Sequence, residues 1–273
     1  MSNSLLHDAA HSASLLEVRE WAISILAADT LEGKLFAPVA LTDHAPGPKM
    51  EWDLPTRPPS LKFQTKKREG KLPPFHAHHQ SDNRAACLHR FAGHELLAVE
   101  IMAYALLKFP EAPPHFRKGL IHTLKEEQEH VRLYCAQLKR FGLSFGDLPL
   151  YRHFWSHTPY LNSPLEYVSA MSLTFEMANL DFAPMYGHSF EKHGDHEAAQ
   201  LMARILKDEI AHVAFGWRWL KKFKSKELSE WEAWKEAQTP LLTPKRAKGF
   251  ILHEEPRKAA GISQDWIDKL QSS

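Results

Sequence analysis

Two Glu-x-x-His tetrads, Glu127-Gln128-Glu129-His130 and Glu209-Ile210-Ala211-His212, constrain the fold of this chain more than any other feature, because each follows another Glu at nearly the same distance. Glu95 stands 32 residues before Glu127, and Glu176 stands 33 before Glu209. One tetrad alone carries little weight: with 22 Glu and 18 His in 273 positions, chance supplies between one and two. The pairing is what counts. Positions 95, 127 and 130 recur at 176, 209 and 212, a shift of 81 or 82 residues, which reads as an internal repeat of a helical hairpin. Four carboxylates and two imidazoles are the ligand set with which a four-helix bundle holds two iron or manganese ions.

Hydrophobic spacing supports four long helices. The first runs over about 82–109, with Leu88, Phe91, Ala92, Val99, Met102 and Leu106 in its apolar stripe and Glu95 inside that stripe; Pro110 and Pro113-Pro114 end it. The second covers about 114–141 and stops at Gly142; Leu120, Leu124, Val131, Tyr134 and Leu138 surround Glu127 and His130 at spacings of three, four and seven. Residues 142–163, rich in Gly and Pro, are longer than adjacent antiparallel helices need. The third and fourth helices, about 164–192 and 195–223, meet at a tight turn at Gly194-Asp195. Hairpin, long crossover, hairpin is the ferritin-like order. The expected fold is therefore all-α, a ferritin-like bundle over 83–223. An N-terminal helical segment over 1–36 (helix at 14–28) precedes it. Between them lies a Pro-rich arm over 37–82, which holds eight prolines and Lys66-Lys67-Arg68 and wraps the bundle or a partner subunit. A tail over 224–273 carries short helices near 227–237 and 263–271.

Glu and His three apart on a helix point to the same side, so one turn offers a carboxylate and an imidazole to the same ion pair. The upstream Glu must come from the antiparallel neighbour at the same height, and a separation of 32 or 33 fits helices of about 15 residues either side of a short loop. Glu95, Glu127, His130, Glu176, Glu209 and His212 are the expected metal ligands. Glu100 and Asp181 are duplicated too, but lie five residues beyond Glu95 and Glu176, about 140° round the helix, and read as surface or inter-helix partners. Glu126 and Asp208 each precede a ligand Glu. They are either solvated or accept the free N–H of the His on the opposite hairpin. Tyr134, one turn beyond His130, either approaches the metals or is a core Tyr. The competing arrangement rotates the helices so that the six residues face water; apolar neighbours at i±3, i±4 and i±7 argue against it. His76, His78 and His79 read as surface residues of the arm, and His94 and His122 as structural.

A net charge of +1 excludes a chain built mainly around polyanions. Cys87 and Cys135, in no C-x-x-C pair, cannot assemble a thiolate metal site and fit a reducing compartment. Residues 1–10 lack a basic-then-apolar pattern and no run of 18 apolar residues exists, so neither a signal peptide nor a membrane span is expected, and the default location is the cytoplasm. The run Phe215-Gly216-Trp217-Arg218-Trp219, followed by Lys221, Lys222, Lys224 and Lys226, offers aromatic and basic groups to RNA, but such a segment is more often an amphipathic helix end whose cations suit the dipole. Nucleic acid is not the expected partner.

At His94-Glu95-Leu96-Leu97-Ala98-Val99-Glu100, Glu127-Gln128-Glu129-His130, Phe175-Glu176 to Leu180-Asp181, and Asp208-Glu209-Ile210-Ala211-His212-Val213 through Trp219, the sequence resembles the bacterial DUF455 family, a ferritin-like group named for its unknown function. The resemblance runs to about residue 222 and implies a carboxylate-bridged metal pair at the six residues, with no substrate. Glu126 stands where many relatives carry Asp. More distantly the chain resembles di-iron hydroxylases, including those acting on modified tRNA bases, and rubrerythrins, whose rubredoxin centre two lone cysteines cannot supply. The expected activity is oxidation or hydroxylation of a small unidentified substrate by O2 or peroxide at two metal ions, iron before manganese, with an external electron donor; a homodimer is compatible with the arm. The alternatives are a non-catalytic iron-binding protein, a di-manganese catalase-like enzyme and an RNA-modifying hydroxylase.

Overall fold

The computed structural model describes residues 15–64 and 71–273. The readings made on residues 1–10, on the start of the first helix at Ser14 and on Lys66-Lys67-Arg68 lie outside the described residues. Strand β1 (Leu16–Glu17) leads into helices α1 (Val18–Ala27) and α2 (Leu31–Leu35), and strand β2 (Leu41–Thr42) lies parallel to β1. Two 3-10 turns, Pro59–Leu61 and Phe75–His79, interrupt the extended chain before the long helices α3 (Ser81–Lys108) and α4 (Pro114–Lys139). After the crossover and its 3-10 turn (Trp155–Tyr160) come α5 (Pro164–Ala170), a π-helical stretch (Met171–Glu176), α6 (Met177–Lys192) and α7 (His196–Phe223). The tail carries α8 (Glu230–Glu236), α9 (Glu254–Ala259) and α10 (Gln264–Ser272). This is an all-α bundle; among the described residues no helix is long and apolar enough to cross a membrane.

Local chemistry places these boundaries. Pro114 and Pro164 open their helices, where a missing N–H costs nothing. Asp195 caps α7 by accepting from Ala198 N at 3.2 Å, and Gly194 takes the positive φ that closes the turn after α6. The two hairpins, α3 with α4 and α6 with α7, meet along α4 and α7. Helix α1 buries Trp21, Ile25 and Leu26 completely against α3.

Both flanking segments fold onto this chain's own bundle, and the outer duplicated carboxylates hold them there. Glu100 and Asp181 are not surface residues: both are wholly buried. Glu100 receives Lys34 of α2 at 2.8 Å and Arg57 of the arm at 2.6 Å. Asp181 receives both terminal nitrogens of Arg257, at 2.6 and 2.8 Å, and the backbone N–H groups of Gly249 and His253. Position i+5 from a core Glu faces neither water nor the bundle axis but the element laid over the hairpin. His78 is likewise buried rather than exposed: its Nδ1 lies 2.8 Å from Ser189 Oγ and its ring stacks on Tyr186. The aromatic run of α7 also turns inward, with Trp219 edge-on to Phe116 at 5.3 Å and Trp217 against Trp266 at 6.1 Å.

The π-helical stretch has a visible support. Widening the turn frees the Ser169 carbonyl from the usual ladder, and three side chains donate to it: Thr174 Oγ1 at 2.7 Å, Trp234 Nε1 at 3.2 Å and Gln238 Nε2 at 3.2 Å. Gly216 of α7 makes room for it, since a Cβ there would sit 2.3 Å from Ser172 Cβ. Glu176 is the last residue of this stretch.

Candidate metal centre

Glu95 on α3, Glu127 and His130 on α4, Glu176 at the end of the π turn, and Glu209 and His212 on α7 all lie inside the bundle, none more than 5% exposed. His130 Nδ1 is 3.2 Å from Glu127 Oε2, and His212 Nδ1 is 3.2 Å from Glu127 Oε1 and 3.7 Å from Glu209 Oε2. The two imidazole centroids are 5.9 Å apart. Two sets of ligand atoms each gather within 4.8 Å: Glu95, Glu127 and His130, and Glu127, Glu176 and His212. Glu127 belongs to both. Glu209 belongs to neither, because Asn179 Nδ2 donates to its Oε1 at 2.8 Å while its Oε2 faces the shared space.

The outer nitrogens of both imidazoles are held from the opposite hairpin. His130 Nε2 lies 3.1 Å from Asp208 Oδ2, and His212 Nε2 lies 3.0 Å from Glu126 Oε2. These bonds leave Nδ1 of each ring turned toward the carboxylates. His122, 75% exposed, reaches Glu126 from the other side at 3.4 Å. Tyr134 is buried, its hydroxyl 3.7 Å from Met202 Sδ.

Charge and burial are in conflict throughout. Burial, with Glu127 and Glu209 nearby, raises the Glu95 carboxyl well above its usual range. Burial pushes Glu176 up to about 8, although the His212 imidazole opposes it. Burial would also raise Glu127, but His130 and His212 outweigh it and hold Glu127 well below the usual carboxylate range. Burial disfavours the imidazolium of His130, yet Glu127 and Asp208 lift it to about 9; Glu126, Glu127 and Glu209 likewise raise His212 despite its burial.

The test of whether a metal suits this site is the fate of its polar atoms. Both oxygens of Glu176 and Glu209 Oε2 are buried without a hydrogen-bond partner among the described residues, and Glu127 Oε1 and His212 Nδ1, 3.2 Å apart, face each other as an ion pair out of line for a hydrogen bond. Orphaned polar atoms in a core each cost about 1–3 kcal/mol, more when charged. Unbonded carboxylate oxygens converging with an imidazole nitrogen are explained by cations that accept their lone pairs, and a carboxylate–imidazole set suits hard or borderline divalent ions. These acidic and histidine groups can hold metal ions.

Several participants carry no sequence signal of the repeat kind. Asn179 has no partner in the first hairpin, where Ala98 takes its place, although its position three residues after Glu176 marks it as facing the same side. The hydroxyl of Tyr167 is buried without a partner, and burial together with the nearby Glu176 and Glu127 carboxylates raises its pKa. The π turn was not foreseeable from hydrophobic period alone, because Met171–Glu176 lies inside a continuous apolar run.

Fold and site together define a class: a four-helix bundle with a duplicated carboxylate–imidazole cluster in its core. The chain belongs to the DUF455 family, described as a protein of unknown function, whose model matches residues 16–268. It is similar to an uncharacterized protein of Haemophilus influenzae, at 25% identity over 203 residues, covering 69% of each chain. No solved structure matches.

Proposed function

We propose that this protein is a ferritin-like di-metal oxidoreductase, with iron the first candidate and manganese the second, that uses O2 or peroxide to oxidise or hydroxylate a small substrate with electrons from an external donor. The observation that carries this reading is the convergence of buried atoms on Glu127, Glu176, Glu209 and His212 that make no aligned hydrogen bond among the described residues. Two ions bound there would supply redox equivalents and open coordination positions for the oxidant.

The remaining work falls to the chain. Glu127, common to both ligand groups, offers one oxygen to each side and sets their separation. Asp208 and Glu126 accept the Nε2–H of His130 and His212, which fixes the tautomer that presents Nδ1 inward and strengthens it as a donor. Asn179 keeps one oxygen of Glu209 occupied, leaving the other free to swing. The Tyr134 hydroxyl, whose acceptor among the described residues is the weak Met202 sulfur and whose proton is held tightly by burial and the nearby Glu95 carboxyl, is available as a hydrogen-atom source beside Glu95. Leu124, Val131, Leu173 and Val213, all fully buried, exclude water from the surroundings.

Elemental analysis of protein from its native host, followed by oxygen- and peroxide-consumption assays with a reductant, tests the proposal. The expected result is about two ions per chain, lost in Glu127→Ala, and consumption that depends on them. Protein that binds ions but consumes neither oxidant would overturn the enzymatic reading in favour of simple iron binding.

A further inference from the structure

A small void reaches the cluster at Glu95 and Tyr134 from the face between α3 and α6. It is narrow, about 20 Å³, room on the scale of a water or a diatomic molecule. Its walls mix aromatic and aliphatic side chains with the polar groups of His94, Glu95 and Asn179. Phe91 stands edge-to-face with Tyr186 at 4.8 Å and tilts on Tyr134 at 6.0 Å, while Phe182 and Met202 close the other side. Phe182 is half-buried at the outer end and meets Phe250 edge-on at 6.1 Å. The loop that carries Phe250 is fixed by Asp181, which accepts from Gly249 N at 2.8 Å and His253 N at 2.7 Å. The outer duplicated carboxylate therefore fixes the loop beside Phe182, where the Phe250 ring stays 83% exposed and outside the lining of the void.

We infer that this void is the port to the cluster, that it admits neutral molecules of two heavy atoms, dioxygen or hydrogen peroxide, and that Phe182 is the residue that sets the size limit. Burial of the void imposes a desolvation cost on ions. The Phe182 ring, the half-buried part of the lining, is the bulk that stands against organic hydroperoxides and ring compounds. The inference rests on the proposed di-metal reading for its chemistry and narrows it: a larger reductant gives up its electrons from outside the bundle, as in an oxidase or peroxidase, instead of entering to be hydroxylated.

Two measurements test it. Metal-free crystals under xenon pressure should show a xenon atom between Phe182, Tyr134 and Met202, a readout independent of any metal. Stopped-flow oxidation of the iron(II)-loaded protein should then compare hydrogen peroxide with tert-butyl hydroperoxide. In Phe182→Ala the ratio of the two rates should fall by about tenfold or more relative to the unaltered protein, with Phe182→Leu giving a smaller change should the alanine variant misfold. Equal ratios in the unaltered protein and a folded Phe182 variant, or crystals with no xenon in the void, would overturn the inference. A chain that takes up no metal would instead remove the di-metal reading, and xenon occupancy alone would then decide whether the void is a port.

Discussion

Loading the cluster with divalent ions must expel protons, because each ligand atom has to be bare to coordinate. At pH 7 the metal-free protein holds a proton on Glu176 with its pKa of about 8 and on His130 at about 9; burial pushes Glu95 the same way, the carboxylates around His212 outweigh its burial to do likewise, and Glu127 is held low. Each imidazole gives up its Nδ1 proton and keeps the Nε2–H that Asp208 or Glu126 accepts. Filling both positions at pH 7 should therefore release about two protons or more, and the combined affinity should rise by about two powers of ten or more per pH unit below pH 8, at roughly 1.4 kcal/mol per proton. Above pH 9 the slope should flatten as Glu176 and His130 lose their protons unaided. The same groups set the stability of the metal-free chain. All four pKa values lie above their unfolded values, so their stabilising contribution is complete below the unfolded pKa and is lost as pH rises through the folded one. For Glu176 alone the loss between about pH 4.5 and 8 is of the order of 5 kcal/mol. The metal-free protein should melt lower at pH 9 than at pH 6, and the gap to the loaded protein should widen. Calorimetric titration in two buffers of different protonation enthalpy counts the protons directly. Release of fewer than one proton at pH 7, or a metal-free protein that gains stability from pH 6 to 9, would refute the reasoning.

Asp208→Ala and Glu126→Ala should each weaken metal binding by about 10- to 100-fold with little change in melting temperature, as expected when an outer acceptor of a ligating imidazole is removed; competition with a chromogenic chelator measures it. Gly216→Ala places a methyl 2.3 Å from Ser172 Cβ, so it should cost about 1–3 kcal/mol in a denaturant titration and lower the number of ions retained, because the turn it displaces ends at Glu176. Asp181→Leu strands the buried guanidinium of Arg257 and should cost about 3–5 kcal/mol, whereas Asp181→Leu combined with Arg257→Met should recover most of it; thermal melts of the two variants decide.

The inner site was legible because it obeys the repeat. Glu95, Glu127, His130, Glu176, Glu209 and His212 sit in apolar stripes at matched spacings, and the side-chain direction of an α-helix does the rest. The outer carboxylates were not legible for a definite reason. Angular position alone places Glu100 and Asp181 off the bundle axis, but whether that side meets water depends on segments distant in sequence, Lys34 and Arg57 before the first hairpin and Arg257 after the second. His78 was misplaced on the same ground: a Pro-rich segment has no period from which burial can be read, and its packing on Tyr186 and Phe190 is wholly tertiary. The π turn escaped because it alters one residue of spacing inside an otherwise continuous apolar run.

The places where the two hairpins differ carry as much information as the places where they match. Shifting Tyr134 by 82 residues arrives at Gly216, and shifting Asn179 back by 81 arrives at Ala98. On one side of the cluster a tyrosine ring fills the space one turn beyond the histidine; on the other, a glycine leaves that space to Ser172 and the π turn. The widened turn carries Glu176 inward with neither oxygen bonded, and Asn179, one turn on, draws Glu209 to itself. A strict repeat would have made two equal halves, with Glu127 and Glu209 each shared. Here Glu127 alone joins both ligand groups, and the void touches Glu95 and Tyr134 of the first hairpin and Asn179 of the second. The duplication builds the ligand set, and Gly216 with Asn179 makes its two halves chemically unlike, so that a small molecule entering past Phe182 meets a tyrosine on one side and an amide on the other.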